Sequence, residues 1–287
     1  MNRSKAYSGW IIAALAATTL CAAGPAAAEW ALDFPASATE LGGKIRGLHH
    51  TALIICVVIG VIVFGVLGYS LMKFRKSQGA QPAKFSHSTK AEVIWTVIPV
   101  LILVGLAIPS ARVLIEMEDT QSADLRIVVT GYQWKWRYEY PDHGISFFSN
   151  MTEESKAAAI VGAGHELHEH YLRDVDNPMV VPAGRKVKLQ LTSNDVIHAW
   201  WIPDLYVKRD AVPGTINETW FEVGEPGVYR GQCAELCGRG HGFMPIVVEA
   251  LPPEEFDAWA AAQTMAGSSE TALKTASVAV ASGPNAQ

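Results

Sequence analysis

Cys233, Cys237, His241 and Met244 lie close together in the stretch Cys233-Ala234-Glu235-Leu236-Cys237-Gly238-Arg239-Gly240-His241-Gly242-Phe243-Met244. Two thiols, an imidazole and a thioether make a soft donor set, and thiolate with imidazole suits copper. A mononuclear blue-copper site needs one Cys, two His and a weak axial Met. Here a second Cys follows the first by four residues. Two thiolates can bridge two ions, each ion then needing one imidazole and one weak donor. His241 supplies one imidazole. The other must come from upstream, and His198 in Val196-Ile197-His198-Ala199-Trp200-Trp201 is the candidate. A disulfide is the plain alternative for a secreted Cys pair. It leaves His241, Met244 and His198 without a role.

The chain that must position these residues has 287 residues, 49% hydrophobic, with a net charge of -5. Mild acidity without a basic stripe excludes a general nucleic-acid binder. Of 4 Cys, Cys21 and Cys56 fall in apolar segments, which leaves Cys233 and Cys237 as the pair in the polar part. Residues 1–28 read as a secretory signal: Arg3 and Lys5, an apolar core from Ile11 to Leu20, and the small residues Ala26-Ala27-Ala28 before a mature start at Glu29. Leu20 stands before Cys21 where a lipoprotein needs a small residue, so lipidation is not expected.

Thr51 to Met72 is apolar and uncharged, and at 1.5 Å per residue reaches about 33 Å, enough to span a bilayer. Ile94 to Val113 is a second such run, interrupted by Pro99, Pro109 and Arg112. Prolines are tolerated in membrane helices. Lys73, Arg75, Lys76, Lys84 and Lys90 lie between the runs with no acidic residue, which places that loop on the cytoplasmic side. Residues 29–118 are therefore an N-terminal segment and a transmembrane hairpin. Both mature termini then face outward. Thr89-Lys90-Ala91-Glu92 reads locally as a capping box at the start of the second helix.

Strand signals dominate the outer part, 119–262. They are Leu125 to Thr130, Val180-Val181, Lys186 to Thr192, Thr219 to Val223, Gly227 to Arg230 and Ile246 to Glu249. Short strands punctuated by Gly and Pro turns suggest a β-sandwich. Residues 149–172 break the rhythm as a partly helical insertion. It holds His165, His168 and His170, whose spacing is not that of a metalloprotease, and a solvated loop is the commoner outcome. Residues 263–287, rich in Ala, Ser and Thr, read as a disordered tail. There is no Cys-x-x-Cys-His for attaching a haem.

The run Gly231-Gln232-Cys233-Ala234-Glu235-Leu236-Cys237-Gly238, followed by His241-Gly242-Phe243-Met244-Pro245, closely resembles subunit II of cytochrome c oxidase. The resemblance covers nearly all of the mature chain. It implies an all-β, cupredoxin-like Greek-key sandwich anchored by a two-helix transmembrane hairpin. It implies a dinuclear copper A centre, with His198 and Met244 on one copper, His241 and the Glu235 backbone carbonyl on the other, and Cys233 and Cys237 shared. The Glu235 carboxylate would then reach a magnesium at the subunit I contact. Hard oxygen suits magnesium and not a thiolate-rich copper site. No ligand position is left for substrate, so such a site carries electrons and leaves oxygen chemistry to a partner.

Further roles follow from the same resemblance. Trp134, first Trp of Gln133-Trp134-Lys135-Trp136, corresponds to the residue that takes electrons from cytochrome c. Glu92, three residues before Trp95, corresponds to the mouth of a proton path. Glu139, Asp176 and Asp195 correspond to cytochrome-docking positions, with Asp142 nearby, although each singly reads equally well as a surface carboxylate. The basic Lys135 and Arg137 sit awkwardly for a basic cytochrome. For Trp136, Tyr138 and Tyr140 sandwich packing is the plainer reading. The implied function is the electron-transfer subunit of an aa3-type-like oxidase in the bacterial inner membrane. Its copper domain is periplasmic, and its partners are cytochrome c, subunit I with haem and copper B, and subunit III. The alternative from another class is a membrane-tethered copper carrier or assembly protein, which favours exposed, exchangeable ligands. Quinol-oxidising relatives lack the copper ligands, and nitrous-oxide reduction needs a further copper-cluster domain.

Overall fold

The computed structural model describes residues 33–82, 84–159 and 169–265. The expected signal at 1–28, the residues His165 and His168, and the tail beyond 265 lie outside the described residues. Helix α1 is Glu40–Lys73. The Thr39 hydroxyl caps it by accepting from the Gly42 N–H at 3.0 Å. Glu40 in the first turn and Lys73 in the last complement the helix dipole. Helix α2 is Thr89–Glu118 and runs through Pro99 and Pro109. At 1.5 Å per residue the two helices extend about 51 Å and about 45 Å, beyond the roughly 30 Å hydrocarbon core. Both are long and apolar enough to cross a membrane, with their spanning stretches unburied by the rest of the chain.

The capping-box expectation is corrected by α2. Ser88, not Thr89, occupies the N-cap, and its side chain makes no capping hydrogen bond. Thr89 is already the first helical residue, so its hydroxyl is one position too far along the chain. The Glu92 N–H is satisfied by the Ser88 carbonyl at 3.0 Å.

Ten strands follow among the described residues: β1 Leu125–Tyr132, β2 Lys135–Tyr140, β3 Ile145–Ser149, β4 Met179–Pro182, β5 Lys186–Ser193, β6 His198–Ile202, β7 Val207–Ala211, β8 Asn217–Glu222, β9 Gly227–Cys233 and β10 Pro245–Leu251. One sheet has the order β3-β2-β1-β5-β8 and the other β4-β10-β9-β6-β7. Each is mixed, since β1 with β5 and β4 with β10 pair in parallel. Alternation is clean in β1 and β5, where every second residue is buried. The two inner faces meet over Ile127, Val129, Trp136, Tyr138, Leu189 and Leu191 from one sheet and Trp200, Ile202, Ile246 and Val248 from the other. Trp200 stacks on Phe221 with centroids 6.1 Å apart. Trp136, Tyr138 and Tyr140 are fully buried, in line with their plainer reading.

Within the 149–172 insertion, Glu153–Ala159 forms the short helix α3. After β10, residues 253–265 form helix α4, carrying ordered chain past the expected limit at 262. Phe256 and Ala260, four apart, are buried, and Trp259 meets Tyr140 at 5.4 Å. That spacing puts all three on one helix face.

The hairpin is fastened to the sandwich by polar contacts. The Trp220 indole donates to the Glu116 carbonyl at 3.0 Å. Lys186 Nζ donates to the Asp119 and Gln121 carbonyls at 2.7 and 2.9 Å. Arg209 pairs with Glu118 at 3.2 Å, and within the hairpin Lys44 of α1 pairs with Glu116 of α2 at 2.6 Å. On the other strand of the junction, the Ala38 N–H donates to the Asp204 carbonyl at 2.8 Å. Beside these contacts, Glu218 on β8 accepts from Lys188 at 2.8 Å, Gln190 at 2.9 Å and Thr120 at 3.0 Å.

Two measurements test this account. Leu189→Ala removes a side chain with no solvent exposure from a central strand and is expected to cost about 3 kcal/mol in denaturant unfolding. Hydrogen bonds from Lys188, then Gln190, hold the Glu218 carboxyl down to about 2. A depressed carboxyl stabilises the fold above its ordinary value of 4.5 and loses that contribution as pH falls toward 2. Glu218→Gln should therefore flatten the acid limb of stability against pH in that window and leave the neutral-to-alkaline limb unchanged.

Candidate metal centre

The site is built where strands of one sheet end together. His198 opens β6, Cys233 closes β9, and Met244 immediately precedes β10. Trp200 pairs with Cys233 across β6 and β9, and Gln232 pairs with Pro245 across β9 and β10. The Cys233 N–H donates to the Met244 carbonyl at 3.3 Å and the Ala234 N–H to the Ala199 carbonyl at 3.0 Å. Two remote segments are thus locked by backbone pairing before any side chain acts.

Cys233 Sγ and Cys237 Sγ lie 3.8 Å apart as free thiols. Cys233 Sγ has His198 Nδ1 at 3.9 Å and the Glu235 carbonyl at 3.4 Å. Cys237 Sγ has His241 Nδ1 at 3.5 Å and Met244 Sδ at 3.5 Å. Each sulfur therefore faces one imidazole nitrogen and one weak donor. The ligand atoms of His198, Cys233 and Cys237 fall within 4.8 Å of one another. His198, Cys233, Cys237 and Met244 are buried, whereas His241 is half-buried. The Glu235 side chain is exposed, and its neighbour Leu236 is 79% exposed.

Charge on the pair is divided unevenly. Burial pushes the Cys233 thiol up, but hydrogen bonds with His198, with the Ala199 and Glu235 backbone and with His241 together outweigh it and bring the group below the ordinary thiol value. Burial and then the neighbouring Cys233 sulfur push Cys237 up to about 12. Without a cation, the pair holds one negative charge readily and resists the second. Burial pulls His198 down, yet Cys233 and Asp195 raise it overall.

Sequence reasoning brought His198, Cys233, Glu235, Cys237, His241 and Met244 together, and the structure places all six in one cluster. Trp134 sits beside them, in the β1–β2 turn. Its indole N–H donates to the Cys237 carbonyl at 3.1 Å. The ring lies against Gly240, where a Cβ would come within 2.3 Å of it. Lys135 stacks over Phe148 at 4.1 Å and Arg137 pairs with Glu139 at 3.1 Å, so both basic residues are already engaged. Glu92 lies at the start of α2, in the membrane hairpin and not in this cluster. Of the acidic positions, Asp176 accepts from the Asn150 N–H at 2.8 Å and its side-chain amide at 2.9 Å. Asp195 accepts from His198 Nε2 at 2.9 Å.

Three neighbours were missed. Gln133 donates its side-chain amide to the Cys237 carbonyl at 2.8 Å. Gly240 makes room for Trp134, and Gly131 makes room for His198, whose ring would lie 2.7 Å from an added Cβ. Nothing in the local sequence marks such close approaches, which join residues far apart in the chain. The Trp136 ring also meets His198 edge-on at 5.8 Å.

Residues 125–251 match the family described as cytochrome C oxidase subunit II, periplasmic domain, and residues 27–113 match its transmembrane domain. A probable cytochrome c oxidase subunit 2 of Rickettsia felis is 43% identical over 235 residues, covering 82% of this chain and 72% of that protein. The chain belongs to the cytochrome c oxidase subunit II family. It is also similar to cytochrome c oxidase subunit 2 of Cereibacter sphaeroides, 37% identical over 237 residues, covering 79% of this chain and 78% of that one. The crystal structure of the periplasmic domain of subunit II of cytochrome oxidase from Bradyrhizobium japonicum is 41% identical, with a TM-score of 0.45, covering 50% of this chain and 96% of that one. As a subunit II, the chain is a membrane-anchored part of a haem–copper respiratory oxidase. Its sulfur–imidazole cluster suits copper and fits the electron-transfer role of the family.

The packing of Trp134 gives a direct test. Gly240→Ala forces a methyl into the indole ring and is expected to push the ring off the Cys237 carbonyl. The Trp134 indole N–H resonance should shift and unfolding stability should fall by about 1–3 kcal/mol.

Proposed function

We propose that this chain takes electrons from a cytochrome c at Trp134 and passes them to haem in subunit I of an aa3-type-like oxidase. There oxygen is reduced to water and protons are pumped. The observation that carries this reading is the pairing at the sulfurs: one imidazole nitrogen and one weak donor for each thiol of a buried pair 3.8 Å apart. That donor set would hold two copper ions, with Cys233 and Cys237 shared between them. By the family resemblance, His198 and Met244 would serve one ion, and His241 and the Glu235 carbonyl the other. Such a centre, when bound, supplies a one-electron couple shared between two metals.

The residues of the chain do the rest. Burial of His198, both Cys and Met244 keeps water and substrate away. Backbone pairing fixes the donors in place, so little rearrangement accompanies a change of charge. The Trp134 indole reaches the metal-binding loop through its hydrogen bond to the Cys237 carbonyl. The exposed Glu235 carboxylate is free to hold a magnesium at a subunit I contact. Glu92, near the start of α2, would stand at the mouth of the proton path. The basic loop after Lys73 would face the cytoplasm and the sandwich the periplasm of a bacterial inner membrane. Subunit III would complete the complex. Glu139 and Asp176, though internally bonded, would contribute rim charge that speeds encounter with a basic cytochrome.

Domain limits follow the same reading: a signal at 1–28, the hairpin to about 118, and the copper domain beyond it. A copper carrier or assembly protein is less well supported, since exchange favours exposed donors and His198, Cys233, Cys237 and Met244 are buried. Copper analysis with electron paramagnetic resonance on the purified protein tests the proposal. Hyperfine splitting shared by two copper nuclei is expected, and Cys233→Ser or Cys237→Ser should abolish it together with oxidase turnover. Splitting from a single nucleus would contradict the dinuclear centre.

A further inference from the structure

Four cationic side chains lie around the turn that carries Trp134, and three of them are engaged. Arg137 pairs with Glu139 at 3.1 Å, Lys156 pairs with Glu153 at 2.5 Å, and Lys135 lies over the Phe148 ring at 4.1 Å. The fourth, Arg239, is exposed and makes no ion pair among the described residues. Its guanidinium carbon stands 6.0 Å from the centroid of the Trp134 ring. Two glycines put it there. Gly238 takes a φ of 111°, which a side chain would oppose, and Gly240 lies against the indole, where a Cβ would come within 2.3 Å. The loop can therefore descend onto the ring, and the Arg239 side chain reaches over it.

Beside the ring is a recess of about 440 Å³, with Trp134, Met151, Lys156, Ala159, Arg239 and Phe243 in its lining. One wall is the metal-binding loop. The other is the insertion that carries α3. Met151 is bridged to Val175, and Arg230 on β9 donates to Asp174 at 3.0 Å, so this wall is tied to the sandwich. The recess is thus mostly apolar, with one uncommitted guanidinium at its edge. A guanidinium presents a planar fork of N–H donors that matches a carboxylate. Beside an apolar surface, where less water screens it, that match counts for more than at an open rim.

We propose that Arg239 is a specificity-determining contact, selecting a donor cytochrome that carries a carboxylate next to the apolar edge it presses against Trp134. This rests on the reading of Trp134 as the point of electron entry. It is compatible with an acidic rim. Glu139, Asp176 and the exposed Asp195, which accepts from the Gln133 N–H at 2.8 Å, would draw a basic protein in from a distance. Arg239 acts only at contact, at one point of the donor's surface. A lysine of the donor at that point would face a like charge, and a glutamate would be held.

The test uses the intact, assembled oxidase at equal copper content: wild type, Arg239→Gln, Arg239→Glu and Arg239→Lys. The donor is a basic, mitochondrial-type cytochrome c in which each lysine bordering the exposed haem edge is replaced, one at a time, by glutamate or by glutamine. The reading is the ratio of KM for the glutamate donor to KM for the glutamine donor. At one haem-edge position this ratio is expected to be about 5-fold lower with the wild-type oxidase than with Arg239→Gln, the size of coupling that contacting residues show. Arg239→Glu should invert the preference at that position, and Arg239→Lys, which keeps the charge without the fork, should retain it at reduced size. Rescue by lysine separates a charge contact from a change in loop packing. Ratios that are the same in all four oxidase forms at every position would overturn the proposal. Trp134→Phe at equal copper content separates the two readings. If it lowers kcat while the ratios ignore residue 239, only the Arg239 proposal falls. If it leaves kcat unchanged, electrons enter elsewhere, and the electron-entry reading and the Arg239 proposal fall together.

Discussion

Two sulfurs held 3.8 Å apart in a buried pocket cannot both carry charge unless cations accompany them. Hydrogen bonds bring the Cys233 thiol below its ordinary value, while burial and the facing sulfur push Cys237 above it. Everything around the pair is consistent with that constraint. Two imidazoles turn Nδ1 inward, a thioether and a carbonyl fill the remaining directions, and the sheet ends beneath them are paired backbone to backbone. The scaffold holds donors whose mutual repulsion only metal relieves, and metal binding displaces the remaining protons.

The rigidity of this arrangement comes from topology more than from the loop. His198 begins a strand, Cys233 ends one and Met244 leads into a third, all in one sheet. The loop from 234 to 244 is thereby fixed at both ends. Trp134 arrives from the opposite sheet, since β1 and β2 belong to the layer that contains β5 and β8. The centre therefore bridges the two layers at one end of the sandwich. The aromatic residues Trp136, Tyr138 and Trp200 fill the space between the layers behind it.

What could be read from the chain followed chemistry and periodicity. Cys233, Cys237, His241 and Met244 were legible because Cys, His and Met at close spacing have few uses, His198 because a second imidazole was needed, and Glu235 only through the family resemblance, while the apolar runs declared the two helices. Strands β1, β5 and β10 were legible from β-branched residues. Strand β6 was overshadowed by its ligand and its Trp pair, and β3 and β7 by their polar and aromatic mixture. Helix α4 went unread because Phe256, Trp259 and Ala260 mark a face only when their four-residue span is checked against a helix. The Thr89 capping box failed by one residue, within the usual uncertainty of helix ends. Asp195 was noticed for its charge, but its bond from the Gln133 N–H joins positions 62 residues apart in the chain.

The mounting of the sandwich on α2 has a consequence for how the protein can be divided. The last turn of a helix leaves carbonyls without partners, and here the Trp220 indole and the Lys186 ammonium occupy carbonyls at that end. Excising the soluble portion by cutting after Glu118 would strip the Trp220 indole of its acceptor, the Glu116 carbonyl, while Lys186 keeps the Asp119 and Gln121 carbonyls and its place 4.3 Å over the Trp220 ring. A fragment retaining the stub from Glu116 onward keeps the indole seated as well, so the natural seam of the molecule lies inside the final helical turn and not at its end.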